Sequence, residues 1–369
     1  MNAKQEILKR ELPALLAPNQ TSLTNDEFQT LRKRFINDLS EHMYGVTPPA
    51  PKSVWVEKRE IPPIVKKHMI YAGKISVEAY DLYFDTPKGE FSFPFMLALP
   101  TSVEKPPVIL HLSYRPLPDY YIPLEEIIDQ GFGLAILIHN DISRDGLNND
   151  FTLGLADHFI GDRPRKKNEV GRVGLWAYGA MRLMDHLVTR DDIDTAHIAI
   201  NGHSRLGKTA LWTGAQDERF FAVHCNDGGY GGSALHRGHI GEVVRNFITV
   251  GSKDFFCENF LNTLDMPESA RPTDQHMLLA CVAPRYLYVS SGEDDHCIDW
   301  RSDYLACYAA SEVYNALGLD GFVGPEEMPE KAPSYHHDGR IGYHVRKRGH
   351  TLSREDWNLF LAFLKNKMQ

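Results

Sequence analysis

Long apolar runs are missing from the chain: no window approaches the roughly 18 residues that a membrane-spanning helix needs. A membrane partner is therefore not expected. The opening segment, MNAKQEILKRELPALLAPNQ, mixes acids with bases and holds no apolar stretch of signal-peptide length, so a cytoplasmic location is expected. Cysteine is scarce too. The five present, Cys225, Cys257, Cys281, Cys297 and Cys307, are odd in number and lack metal-ligand spacing, which points to reduced thiols. Positive charge is in deficit, with 49 acids against 40 bases and a formal net charge of -9. The one basic cluster, Arg163, Arg165, Lys166 and Lys167, is flanked by Asp162 and Glu169 and reads as a solvated loop. Nucleic acid attracts a basic surface, so it is not an expected partner. The chain has no His-Glu-x-x-His motif either, and neither a metal nor another cofactor is expected.

What is present is an alternation of two periodicities. The first 60 or so residues read as helices with a proline-rich exit, TPPAPKSVW, and strand-like alternation follows in VEAYDLYF and FSFPFMLAL. Buried-strand runs then recur at PVILHLSY, GFGLAILIH, HIAINGHS, FAVHCNDGG and APRYLYVSSG, separated by helical stretches such as GLWAYGAMRLMDHLV and SDYLACYAASEVYNAL. Strand alternating with helix implies an α/β fold with a mostly parallel sheet and helices on both faces. No repeat, low-complexity tract or charge block marks a linker, so the expected division is an N-terminal helical extension, residues 1–60, packed on one catalytic domain, residues 61–369.

One connection in this series stands out. After the strand HIAIN the chain turns at Gly202-His203-Ser204-Arg205 and enters a helical pattern with Gly207 and Lys208. A strand-turn-helix elbow of this kind holds a serine oxygen above the sheet in a strained conformation, and small neighbours let strand and helix close around it. The usual spacing is Gly-x-Ser-x-Gly; here the second glycine is displaced by one residue, to Gly207.

The run Gly202-His203-Ser204-Arg205-Leu206-Gly207-Lys208, followed by Ala210-Leu211-Trp212, Gly214-Ala215 and Asp217-Glu218-Arg219-Phe220, resembles the nucleophile region of the glucuronoyl esterases and their bacterial carbohydrate-esterase relatives, including acetyl xylan esterases. The family pattern, Gly-Cys-Ser-Arg-x-Gly-Lys, has cysteine where this chain has His203. Trp176-Ala177-Tyr178-Gly179, Gly228-Gly229-Tyr230-Gly231-Gly232, Arg237, Gly241-Glu242, Asp274-Gln275-His276 and Ala283-Pro284-Arg285 continue the likeness, which spans roughly residues 95 to 365. The resemblance implies an α/β-hydrolase fold and a serine esterase acting on a carbohydrate ester, either a glucuronoyl ester or an acetylated sugar such as a xylo-oligosaccharide.

A serine needs a base, and in this fold the order is serine, acid, histidine. His350, in the loop RKRGHTLSREDW, follows that order and falls where the resembled family has its base; His276 is the competitor, and His336 and His337 read as loop residues. For the acid, Asp227 lies 23 residues after Ser204, where the resembled family carries glutamate, and is preferred because GGYGG follows it. Asp295, in SSGEDDHCIDW, is the alternative. The backbone amide of Arg205 begins the helix after the serine and is the natural oxyanion donor; the resemblance gives its guanidinium a similar role. The resemblance also assigns Lys208, Glu242 and Arg237 to sugar binding, while His236 stands where some members have tryptophan. Tyr114, Tyr230 and Trp300 are candidate ring-stacking aromatics. A serine peptidase and a non-catalytic scaffold of the same fold are the other readings, the first separable by its substrates and the second disfavoured by retention of serine, acids and histidine.

Overall fold

In the computed structural model, residues 1–68, 71–146, 150–249 and 252–369 are described. Their strands form one sheet: β1 Val54–Arg59, β2 Ile75–Thr86, β3 Gly89–Pro100, β4 Pro107–Ser113, β5 Gly133–Ile138, β6 Asp194–His203, β7 Ala222–Asn226, β8 Tyr286–Gly292, β9 Ser334–His336 and β10 Ile341–Arg346. Their order is β1-β2-β3-β5-β4-β6-β7-β8-β10-β9. From β5 through β4, β6, β7 and β8 to β10 every pairing is parallel, and the pairings at both margins are antiparallel. This is the α/β-hydrolase arrangement. The central strands are buried on both faces, in keeping with their apolar-rich sequences.

Helix Arg172–Leu187 is buried almost all round, and Gly179 permits this: a Cβ there would stand 2.4 Å from Ile142 Cδ1. Helix Asn25–Leu39 starts with a capping box between Thr24 and Glu27 and buries Phe28, Phe35 and Leu39. Its Arg32 donates to the carbonyls of Ala215 at 2.5 Å and Cys281 at 3.2 Å, which ties the N-terminal segment to the helix behind the elbow. Strand β1 also lies within the first 60 residues, where only helices and a proline-rich exit were expected, and it pairs along its whole length with β2. Strands β9 and β10 were likewise not anticipated.

Candidate active site

The nucleophile elbow is fixed by two close approaches. Ser204 has φ 57° and ψ -125°, a conformation that non-glycine residues adopt only where surrounding contacts enforce it. A Cβ on Gly202 would lie 2.0 Å from the carbonyl oxygen of Leu206, in the first turn of helix Arg205–Gln216. A Cβ on Gly207 would lie 3.0 Å from the Asn226 carbonyl and 3.1 Å from Cys225 Sγ. Its third close contact is the Gly202 carbonyl at 3.2 Å, so the displaced glycine lets the helix settle on both β6 and β7. The Ser204 amide donates to the Asn226 carbonyl at 2.8 Å, and this secures the turn from the same side.

His350 occupies the loop between β10 and helix Arg354–Lys367, beyond the carboxyl ends of the strands. Its ring centroid lies 4.5 Å from that of His203, the residue just before Ser204, so the imidazole stands at the elbow. Its Nδ1 is 2.5 Å from Asp295 Oδ2. Asp295 in turn accepts from the Cys297 amide at 3.0 Å. Burial pushes the Asp295 carboxyl up, but the hydrogen bond and charge of His350 and the Cys297 amide outweigh it, and the net displacement is downward.

The preference for Asp227 is corrected here: the hydrogen-bond partner of His350 is Asp295. Asp227 Oδ1 accepts from the Gly292 amide at 2.8 Å, and Oδ2 accepts from Arg346 Nη2 at 2.9 Å and the Thr351 amide at 3.3 Å. Its acceptor capacity is spent on the interior. Burial raises the Asp227 carboxyl to about 7, with the Arg346 guanidinium working in the opposite direction.

A family profile described as "Glucuronyl esterase, fungi" matches residues 164–318. The chain is 36% identical over 246 residues to Carbohydrate esterase MZ0003 from an unknown prokaryotic organism, covering 66% of this chain and 56% of that one. The 4-O-methyl-glucuronoyl methylesterase 1 of Sodiomyces alcalophilus is 31% identical over 163 residues, covering 42% of this chain and 33% of that protein. The structure of a glucuronoyl esterase from Solibacter usitatus superposes with a TM-score of 0.82 at 28% identity, covering 98% of this chain and 100% of that one. The chain is glucuronoyl esterase-like in sequence and in fold. It spans little more than half, or only a third, of the length of the two curated relatives.

The remaining residues expected at the site separate into two groups. Arg205, Lys208 and Glu242 stand at the elbow. Arg205 Nη1 is ion-paired with Asp145 Oδ2, and its guanidinium carbon lies 5.2 Å from the centre of the Phe255 ring. Burial raises the Asp145 carboxyl, but the His139 ring 3.7 Å away and the Arg205 guanidinium bring it down to about 2. Lys208 Nζ donates to the carbonyls of Gly228 at 2.7 Å and Tyr230 at 2.8 Å and lies 3.5 Å from Glu242 Oε2. Lys208 thereby fixes the glycine-rich loop and brings Glu242 to the helix that carries the nucleophile.

Arg237 belongs elsewhere, which corrects the substrate-binding expectation for it. Its guanidinium donates to the carbonyls of Glu11, Glu268, Ser269 and Arg271 at 2.8 to 3.2 Å and pins a surface turn to the N-terminal segment. His276 Nε2 similarly meets the Pro13 carbonyl at 2.8 Å, and His337 Nε2 meets the Tyr288 hydroxyl at 2.8 Å. His336 packs among Tyr304, Phe322 and Tyr343. Of the three aromatics, only Tyr114 reaches the elbow, where its hydroxyl donates to the His203 carbonyl at 2.9 Å. Tyr230 is buried against His236 with ring centroids 4.0 Å apart, and Trp300 is buried at the start of helix Trp300–Ala316.

Sequence reasoning missed Asn226, Asp145 and Arg346. Asn226 Oδ1 lies 2.6 Å from His203 Nδ1. His203, Asp227 and His350 each offer a ligand atom within 4.8 Å of the others, the one such group among the described residues. Those three do not fit a cation: the Arg346 guanidinium already sits 2.9 Å from Asp227 Oδ2 and occupies the carboxylate with a positive charge.

Proposed function

We propose that this protein is a serine carbohydrate esterase that cleaves an ester of glucuronic acid through an acyl-enzyme. The observation that carries the reading is the strained Ser204 elbow beside a histidine whose Nδ1 is held by a buried carboxylate. With Nδ1 engaged by Asp295, Nε2 of His350 is the nitrogen left to exchange protons with Ser204. Ser204 Oγ attacks the ester carbonyl while its proton passes to His350. The tetrahedral intermediate collapses, its C–O bond breaks, and the departing alcohol takes that proton. Water then gives a proton to His350 and attacks the acyl-serine, releasing the uronic acid and restoring the hydroxyl. Negative charge on the intermediate is met by the free amides at the start of helix Arg205–Gln216 and by the Arg205 guanidinium. Asp145 pre-sets the guanidinium, so little reorganisation accompanies the reaction.

Two features support a sugar on the acyl side: the likeness to glucuronoyl esterases, and the Lys208–Glu242 pair at the elbow, which presents a carboxylate able to accept from sugar hydroxyls. The second reading is an acetylated sugar, favoured by one observation. His236 replaces a tryptophan of some family members and is stacked inward on Tyr230, so it offers no ring to a uronate. The unpaired thiols support a reducing, cytoplasmic setting, with a soluble oligosaccharide ester as the substrate.

A panel of a methyl glucuronate ester, an acetylated xylo-oligosaccharide, an aryl acetate and a proline aminopeptidase substrate tests the assignment. The methyl glucuronate ester is expected to have the highest kcat/KM. Preference for the acetylated sugar would move the protein to the second reading, and amide cleavage would make it a peptidase.

A further inference from the structure

Arg346 closes β10 and is 2% exposed although it carries a full charge. A buried guanidinium is tolerated only when its donors are matched. Nε donates to Asp356 Oδ1 and Oδ2 at 2.9 and 2.8 Å. Nη1 donates to the Gly349 carbonyl at 3.0 Å and to those of Lys347 and Arg348 at 3.4 Å, and Nη2 donates to the Thr351 carbonyl. Every one of those carbonyls belongs to the loop that presents His350. Within it Arg348 adopts φ 79°, a left-handed conformation that a non-glycine residue keeps only under constraint.

Strand β8 is shaped to the same guanidinium. A Cβ on Gly292 would stand 2.7 Å from Arg346 Nη1, 2.5 Å from the Arg348 carbonyl oxygen and 2.9 Å from that of Gly349. Only glycine lets the loop lie down on the arginine. The Gly292 amide at once donates to Asp227, the carboxylate that Arg346 Nη2 also holds. Asp227 and Asp295 both approach the imidazole, Asp227 with an oxygen within 4.8 Å of a ring nitrogen, yet only Asp295 is hydrogen-bonded to it.

We propose that Arg346 is a positioning residue for this hydrolysis: it moulds residues 347–351 around His350 and detains Asp227, which leaves Asp295 to orient the base. This rests on the assignment of Ser204, His350 and Asp295 given above. Two carboxylates compete for one imidazole, and the guanidinium decides between them.

The test is a double-mutant cycle in the full-length protein, with kcat and KM followed from pH 6 to 9 on the methyl glucuronate ester. In the wild-type background Asp295→Asn is expected to lower kcat about 50-fold or more, whereas in an Arg346→Gln background the same change costs less than about 10-fold, because the released Asp227 takes over the imidazole. Arg346→Gln alone lowers kcat by about 10- to 100-fold with KM within about 3-fold, and Arg346→Lys recovers part of that loss. The double variant gains activity as pH rises above 7, since Asp227 without its guanidinium must ionise at higher pH to serve. Gly292→Ala displaces the loop from the guanidinium without deleting a charge, and it is expected to weaken the Asp295→Asn penalty in the same direction. It therefore decides the matter if Arg346→Gln melts below the assay temperature. An Asp295→Asn penalty equal in all three backgrounds, or an Arg346→Gln loss confined to KM, overturns the proposal. Full activity in Ser204→Ala would instead overturn the triad itself, whereas an inactive Ser204→Ala beside an additive cycle removes only the role of Arg346.

Discussion

Replacing Asp295 with asparagine deletes the charge that faces the imidazolium and keeps the side-chain size. In the wild type the carboxylate oxygen is 2.5 Å from Nδ1, and the two charge centres come to about 3.5 Å once His350 has taken the serine proton. At an effective dielectric of about 20 Coulomb's law gives about 4.7 kcal/mol, and at about 40 it gives about 2.4 kcal/mol. The His350 side chain is 38% exposed, which argues for the weaker end of that interval. At about 1.4 kcal/mol per factor of ten, Asp295→Asn should lower kcat between about 50-fold and about 2000-fold. Asparagine also brings an amide donor to Nδ1 and favours the wrong tautomer, which adds to the loss in the same direction. The assay is steady-state hydrolysis of a methyl glucuronate ester by Asp295→Asn, Asp227→Asn and wild type, beside thermal melts of all three. Asp227→Asn is expected to act mainly on stability, because it leaves Arg346 buried with one carboxylate partner fewer, a defect of about 3 kcal/mol or more. The reasoning is refuted if Asp295→Asn stays within threefold of wild type while Asp227→Asn loses two orders of magnitude in kcat without a fall in melting temperature.

Further outcomes follow from the packing and charges around the site. Gly202→Ala should abolish activity and lower expression, since its Cβ meets backbone at 2.0 Å, whereas Gly207→Ala, at 3.0 Å, should fold with a lower melting temperature and reduced kcat. Arg237→Met strips the donor from four carbonyls and should cost about 2 to 4 kcal/mol in urea unfolding, with kcat/KM within twofold of wild type. A loss in kcat/KM would return Arg237 to the substrate site. For Asp145, held at about 2 in the folded chain against an ordinary value of 3.8, the ionised carboxylate stabilises the fold above pH 4, and that stability is lost as pH falls through 2. Urea unfolding at pH 5 and pH 2 should therefore show the wild-type advantage over Asp145→Asn shrinking by about 2 kcal/mol; an advantage independent of pH would contradict the ion pair with Arg205.

How much of this was legible in the sequence depended on burial. Strands β4 to β8 were readable because two covered faces leave short apolar-rich runs between helical stretches. Strand β10, IGYHVR, was not, because its His344 and Arg346 are interior residues matched by Tyr288, Asp356 and Asp227 rather than by apolar packing, and its Gly342 makes room for the Tyr288 and Phe363 rings. Strand β1 was missed for the opposite reason: Glu57, Lys58 and Arg59 are exposed, and the edge carries ion pairs from Lys58 to Glu78 and from Arg59 to Asp81. The elbow was legible because the strain at Ser204 demands small neighbours at fixed offsets. Which carboxylate meets His350 was not, since Asp227 and Asp295 follow adjacent strands, β7 and β8, and spacing says nothing of where a side chain spends its lone pairs. Arg237 shows the converse difficulty. A matching position in a resembled pattern gave it a ligand role, while four backbone carbonyls claim its guanidinium.

The central claim is that Ser204 forms the acyl-enzyme. The most direct measurement is intact-protein and peptide mass spectrometry after treatment with a fluorophosphonate, run beside ester hydrolysis, for wild type and Ser204→Ala. One adduct on the peptide containing Ser204, formed as hydrolysis of the sugar ester is lost and absent from Ser204→Ala, is the predicted result. An adduct on another residue, or undiminished hydrolysis by Ser204→Ala, would contradict it.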